Sequence, residues 1–251
     1  MYAERASKLP HVVAWRSEVS PGAPPKRILP DGCLDLIWHD GRVFVAGPDT
    51  TAQVGAAAPG SRLFALRFAA GTGPGVLGLP ADELTDRQVD LEDLLPAAAV
   101  RPIAEAADPL AALEAFSLRR WQEPDPAMVA VTARARAGVA VDAIAVECGL
   151  SPRHLQRRCK TAFGYGPKTL ARILRLQKAV GLARAGRPFA EVSVTAGYAD
   201  QAHLSRDVKA LAGVPLGVLL GQWGIEVHGV AVRVAHHGVT LTPEGVPGLL
   251  V

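Results

Sequence analysis

The chain has 251 residues, 49% hydrophobic and 20% charged, a composition that describes a globular protein and excludes a disordered one. No apolar run approaches the ~20 residues of a membrane helix. The stretch MYAERASKLPH lacks a basic-then-apolar signal pattern, so a cytoplasmic location without a membrane partner is expected. The formal net charge of +3 hides an asymmetry. Residues 1–124 hold 12 Lys and Arg against 16 Asp and Glu, a net −4. Residues 125–223 hold 14 against 6, a net +8, and residues 224–251 hold 1 against 2. A basic block beside an acidic one points the later part toward a polyanion and gives the front another task. The three cysteines, Cys33, Cys148 and Cys159, are an odd number without close spacing. Neither a disulfide framework nor a paired-cysteine zinc site is expected. Cys148 and Cys159 fall at apolar helix positions and read as buried thiols.

In the front part, HVVAW (11–15), LDLIW (34–38), RVFVA (42–46) and RLFALRF (62–68) read as strands separated by Pro, Gly and Asp. Asp40-Gly41 is a two-residue hairpin signal. Short strands at this spacing predict a small antiparallel barrel or sandwich. From Leu79 the texture becomes helical, broken by Pro80, Pro96, Pro102 and Pro109. Asp108 is placed to cap a helix over 109–121 with Leu110, Leu113 and Phe116 on one face. Glu123–Pro126 (EPDP) is a linker candidate. The expected fold class is α+β. A β-rich barrel or sandwich domain over 1–95 precedes a helical connector and linker over 96–124. An all-α domain over 125–223 follows, then a short β-like tail over 224–251, where EVHGVAVRVAHHGVTLT alternates enough for strands.

The front part offers little chemistry. Cys33, His39 and His11 match no metal-ligand spacing, so no metal is expected there. Asp31 and Asp35 share strand parity, but Asp31 precedes Gly32 in a turn and reads as a solvated turn acid. GTGPGVLG, interrupted by Pro74, reads as a loop and not as a phosphate cradle. No Ser/His/Asp arrangement can be placed by spacing, so neither an enzyme nor a cofactor is expected. An apolar barrel interior is a natural small-molecule pocket. Trp15, Trp38, Phe44, Phe64 and Phe68 are candidate walls for it, or plain core.

The basic block carries a duplicated design. DPAMVAVTARAR (125–136) reads as a capped support helix with Met128, Val131 and Ala135 on one face. A short helix with Val141, Ile144, Ala145 and Cys148 apolar then ends at Gly149. Ser151 caps the next helix, Pro152–Phe163, and Pro152 sits at its first position. That helix buries Leu155 and Cys159 and turns Arg153, Gln156, Arg157 and Lys160 outward. Arg and Gln can read guanine and adenine edges bidentately. A joining helix over 167–186 offers Leu170, Ile173, Leu174, Leu176 and Leu182 to both units and turns Arg172, Arg175 and Lys178 outward.

In the second copy Val192, Val194 and Ala196 form the short apolar helix, Gly197-Tyr198 the turn and Asp200 the cap. The helix 201–212 buries Leu204, Val208 and Leu211 and turns Gln201, Ala202, Ser205, Arg206 and Lys209 outward. His203 is open between a DNA contact and the helix–helix seam. This is the grammar of two major-groove readers in tandem. A joining helix of roughly 19 residues spans about 28 Å, near the ~34 Å of one DNA turn.

The stretches IAVECGLSPRHLQRRCKTAFGYGPKTLARILRLQKAVGLA and VSVTAGYADQAHLSRDVKALAGVPLGVLLGQW resemble the DNA-binding domain of the AraC/XylS family of bacterial transcription regulators. The family's turn, reader and glycine-to-proline pattern is met by Gly197, Tyr198, Asp200, Lys209, Gly213 and Pro215, with a gap one residue shorter. The resemblance implies base contacts from Arg153, Gln156 and Arg157 in one groove and from Gln201, Ala202, His203 and Arg206 in the next. Candidate phosphate contacts are Ser151, Lys160, Lys168, Arg172, Ser205 and Lys209. Departures at Asp207-Val208 and Leu211-Ala212 touch packing more than readout, and Ala202 leaves the second reader poorer. The front part, with ILPDGCLDLIWHDG and LFALRFAAGTGPGVLGLPADELTD, resembles the sensor-like domain that precedes this module in some members. The implied partners are double-stranded DNA, with RNA polymerase, a small-molecule effector and a second copy of the chain as further candidates. A rival reading keeps the DNA-binding module and gives the front part a reactive cysteine, Cys33.

Overall fold

Strand alternation and helix-breaking prolines divide the chain. The computed structural model describes residues 2–22, 26–55 and 58–221, so the strands expected over 224–251 lie outside the described residues. The strands are β1 (Tyr2–Ala6), β2 (Val12–Glu18), β3 (Lys26–Ile28), β4 (Leu34–His39), β5 (Arg42–Ala46), β6 (Gln53–Gly55), β7 (Arg62–Phe68) and β8 (Gln88–Asp90). Helices α1 (Gly73–Leu77), α2 (Leu91–Leu94), α3 (Ala97–Ala104) and α4 (Pro109–Arg120) accompany them. The helical block is α5 (Pro126–Arg136), α6 (Val141–Glu147), α7 (Pro152–Phe163), α8 (Pro167–Arg184), α9 (Phe189–Ala196), α10 (Gln201–Ala212) and α11 (Leu216–Gly221). The chain forms two compact units, Met1–Ile173 and Leu174–Val251, with the boundary inside α8.

The β-rich front and helical rear are as expected, but the sheet does not close into a barrel. Six antiparallel strands run in the order β1-β2-β7-β4-β5-β8, with β3-β6 as a separate pair. The β4–β5 hairpin turns at Asp40 (φ 49°) and Gly41 (φ 83°), the left-handed pair that a two-residue turn needs, and pairs His39 with Arg42. The edge strand β8 is only three residues long, which limits its exposed ladder.

Period-two alternation sends the two residue sets of each strand to opposite faces. One face, with Ala14, Leu36, Val45, Leu66 and Phe68, packs with Val76 and Leu77 of α1, Leu91 of α2, Val100 and Ile103 of α3, and Leu113 and Phe116 of α4. The helices of the expected connector are therefore part of this core. The other face gathers Trp15, Ile37, Phe44 and Ala65. The five aromatic wall candidates are thus divided. Phe68 lies in the helix-covered core with Trp38 and Phe64 packed against it, and Trp15 and Phe44 lie opposite. Trp38 donates its indole N–H to the Ala104 carbonyl at 3.0 Å.

The second face holds a buried polar group, and Asp31 beside it is expected in solvent from the sequence. Asp35 and Arg67 are cross-strand partners, both under 10% exposed, with Arg67 Nε 3.3 Å from Asp35 Oδ1. The Trp15 indole N–H donates to the same oxygen at 2.8 Å. Asp31 is only 4% exposed and accepts the Cys33 amide at 2.9 Å. It is not a solvated turn acid: the turn packs beside Ala70 and Tyr165, and the Cys33 amide donates to its carboxylate.

On the helix-covered side Glu114 of α4 is buried and accepts two bonds from Arg5 of β1, at 2.8 and 3.0 Å. Ser7 Oγ and the Lys8 amide add donors at 3.0 and 3.2 Å. Arg5 and these donors hold its carboxyl below the usual 4.5 against the opposing effect of burial. Asp108 caps α4 as expected, accepting the Ala111 amide at 3.0 Å.

Two stability tests follow from these pairs. Asp35→Ala strands the buried Arg67 guanidinium and should cost ~3–5 kcal/mol in urea unfolding; a loss under about 1 kcal/mol would contradict the pairing. A depressed carboxyl pKa adds stability that is present above the unfolded pKa and lost as pH falls through the folded one. Glu114→Gln should therefore lower stability at neutral pH, and its deficit should shrink as pH drops below the ordinary glutamate range. A deficit independent of pH would contradict the ion pair.

Candidate nucleic-acid interface

A helix can present side chains to a groove only if its opposite face is anchored and its first turn is closed. In the first unit α7 buries Leu155, Cys159 and Phe163 with Ile144 and Ala145 of α6 and Met128, Val131 and Ala135 of α5 also buried. Gly149 takes the left-handed turn (φ 64°) between α6 and α7. Ser151 Oγ then accepts the His154 amide at 3.2 Å, with Pro152 in the first turn. Burial pushes the Cys159 thiol up to about 12, so it serves as a small apolar core group. Cys148, expected buried, is half-exposed at the C-cap of α6. Arg134 bridges to Glu147 at 2.7 Å, tying α5 to α6.

The outward residues of α7 differ in readiness. Arg153, Arg157 and Lys160 are exposed. Gln156 is exposed too, yet its amide lies over Gly166, where a Cβ would come within 2.4 Å of Nε2. Arg158 is not available: it pairs with Asp125, which also accepts the Ala127 amide at 3.0 Å to cap α5. Burial opposes ionisation of Asp125, but Arg158 and these amides together hold its carboxyl below the usual range.

The second unit repeats the construction. Gly197 (φ 88°) makes the turn, and Asp200 accepts the His203 amide at 2.6 Å to cap α10. Leu204, Val208 and Leu211 are buried. Gln201, Ala202, Ser205, Arg206 and Lys209 are exposed. His203 is half-buried, its ring edge-on to Tyr198 at 5.1 Å, so it lies at the turn seam as well as beside the outward face. Two sequence assignments change here. Val194 was grouped with Val192 and Ala196, but residues two apart in a helix lie on different faces; Val192 and Ala196 are buried and Val194 is exposed. Arg175, expected outward, is folded against the turn instead. Its guanidinium sits 4.8 Å over the Tyr198 ring and 3.9 Å from buried Asp207. Asp207 gave no sequence signal beyond being charged where packing was wanted.

On the joining helix, Lys168 and Lys178 are exposed and Arg172 is half-buried. Leu170, Ile173, Leu174 and Leu176 are all buried; the first two belong to the first unit and the last two to the second.

Residues 144–222 match the family described as "Helix-turn-helix domain". The C-terminal half carries an AraC-type helix-turn-helix domain. Residues 8–90 match a domain of unknown function (DUF6597). No curated protein matches the chain. Solved structures of ToxT from Vibrio cholerae are similar over most of the length. An apo variant from strain SCE256 is 12% identical with a TM-score of 0.46, covering 86% of this chain and 99% of that one. Unsaturated fatty acid bound ToxT is 11% identical with a TM-score of 0.43, covering 84% and 94%.

Ahead of the AraC-type domain, Cys33 is only 5% exposed. The reactive-cysteine reading needs an accessible thiolate, and this thiol has no such access. Among the described residues no three His, Cys, Asp or Glu gather as a metal site, and no helix is long and apolar enough to cross a membrane.

Within the AraC-type domain, Asp207→Ala should remove the partner of Arg175 and lower stability by ~1–3 kcal/mol. Hydrogen exchange in α10 should accelerate more than in α7. Equal acceleration in both helices would contradict a role confined to the packing of α10.

Proposed function

We propose that this protein is a sequence-specific DNA-binding transcription regulator that reads two successive major-groove segments. The observation that carries the reading is the pair of helices α7 and α10. Each has an anchored apolar face, a left-handed glycine turn, a side-chain cap and an exposed face with Arg and Gln. Arg153, Gln156 and Arg157 read bases in the first segment; Gln201, Ala202, His203 and Arg206 occupy the second. Ser151, Lys160, Lys168, Arg172, Ser205 and Lys209 hold phosphates, which gives salt-dependent affinity. Ser151 can do so while capping α7, since its oxygen accepts from His154 and its hydroxyl proton stays available. The β-rich front part senses a small molecule or mediates dimerisation, and so alters DNA affinity or RNA polymerase contact.

Affinity selection from a random duplex library at fixed salt tests this. A bipartite motif with halves about one helical turn apart is expected. On the selected site, Arg157→Ala and Arg206→Ala should each relax discrimination at one base position by ~1–3 kcal/mol. Lys209→Ala should weaken all sequences alike and reduce the salt slope by about 1. No enrichment, or Arg variants with unchanged affinity for target and scrambled DNA, would overturn the reading.

A further inference from the structure

In the first unit α8 begins without a capping side chain of its own. Gly166 stands immediately before it, and its carbonyl accepts the Leu170 amide at 3.1 Å, the first helical bond, with Pro167 at the first position. A residue at this place usually carries a side-chain oxygen that accepts one of the helix's first amides. Gly166 has none. A residue of α7 takes the space instead. A Cβ on Gly166 would lie 2.4 Å from Gln156 Nε2, 2.5 Å from Oε1 and 2.8 Å from Cδ. The Gln156 carboxamide thus rests where a capping side chain would stand, beside the positive end of α8.

This resting place competes with a DNA groove. Gln156 shares the exposed face of α7 with Arg153 and Arg157. A glutamine reads adenine when its amide oxygen and nitrogen both meet the base edge, and one carboxamide cannot lie over Gly166 and do so at once. The glycine is not demanded by backbone geometry, because Gly166 is not among the glycines at left-handed φ. The atoms that an added Cβ would displace belong to the far end of a flexible, exposed side chain. Alanine at 166 therefore removes the resting place and leaves both helices where they are.

We propose that Gly166 is a positioning residue for base selection: by leaving room for the Gln156 carboxamide beside α8, it holds that side chain back and weakens adenine readout at one position of the first segment. This rests on the reading of α7 as a base reader. Apparent affinity falls with the fraction of molecules whose Gln156 is free to face a base, so the residue that tunes the contact lies outside the helix that makes it.

Two readouts test this, the first without DNA. In the free wild-type chain the side-chain amide protons of Gln156, assigned by their loss in Gln156→Ala, should show nuclear Overhauser contacts to the Gly166 α-protons. Absence of these contacts would overturn the resting place. Binding is then compared for the wild type, Gly166→Ala, Gln156→Ala and the double variant, on duplexes carrying each base in turn at every position of the selected site. Gly166→Ala should raise the preference for adenine at one position of the first half-site ~5-fold and leave the α10 half-site unchanged. Once Gln156 is alanine, Gly166→Ala should alter no base preference. Base preferences equal to the wild type, a change that persists in the double variant, or a shift in affinity common to every sequence would overturn the positioning role. A wild-type chain that selects no site would bring down the reading of α7 and this role with it, whatever the contacts in the free chain show.

Discussion

Helices α7 and α10 depend on one constraint at their first turn. Chain direction must change sharply between a short apolar helix and the reader, and the reader's first amides must then find an acceptor. Gly149 and Gly197 supply the left-handed residue, and Ser151 and Asp200 supply the acceptor. A side chain at either glycine would be strained, and a residue without a side-chain acceptor at either cap would leave an amide unsatisfied. With the first turn closed in this way, the buried residues of α7 and α10 fix which face of each helix stays outward. The exposed Arg and Gln residues inherit their direction from that anchoring.

In the first unit the other end of the reader is held as firmly. Gly164 closes α7 at φ +84°, and its carbonyl accepts Thr85 Oγ1 at 2.9 Å. A Cβ at Gly164 would fall 2.3 Å from that hydroxyl oxygen and 2.8 Å from Pro48. Tyr165 follows, buried, and burial with Asp31 close by keeps its phenol well above the ordinary range. The residue next to the reader thus sits beside the polar group of the β-rich domain. The C-terminal end of α7 is thus packed against Pro48 and Thr85 and joined to Thr85 by a hydrogen bond. The second unit uses internal means instead, with Arg175, Asp207 and Tyr198 joining α8, α10 and the turn.

Much of this was legible in the sequence because it rests on local chemistry. Glycine turns, Ser and Asp caps, a first-turn proline and apolar residues at spacings of three and four announce α7 and α10 directly. The hairpin at Asp40-Gly41 is legible for the same reason. What was not legible depends on partners distant in the chain. Asp35 reads as a polar interruption until β7 brings Arg67 opposite it. β1 and β8 carry too few apolar residues to be recognised alone, and the sheet stays open because nothing local dictates closure. Arg175 looks outward on a helical wheel, but Asp207 and Tyr198 claim it. Gln156 belongs to the outward set by spacing, yet Gly166 lets its amide fold back.

The central claim is that α7 and α10 both enter major grooves of one DNA site. Methylation interference on a selected duplex tests this most directly, since methylating guanine N7 blocks major-groove contact at that base. The account predicts two clusters of interfering guanines about one helical turn apart. Loss of the first cluster in Arg157→Ala and of the second in Arg206→Ala would assign each to its helix. A single cluster, or interference unaffected by either substitution, would contradict it.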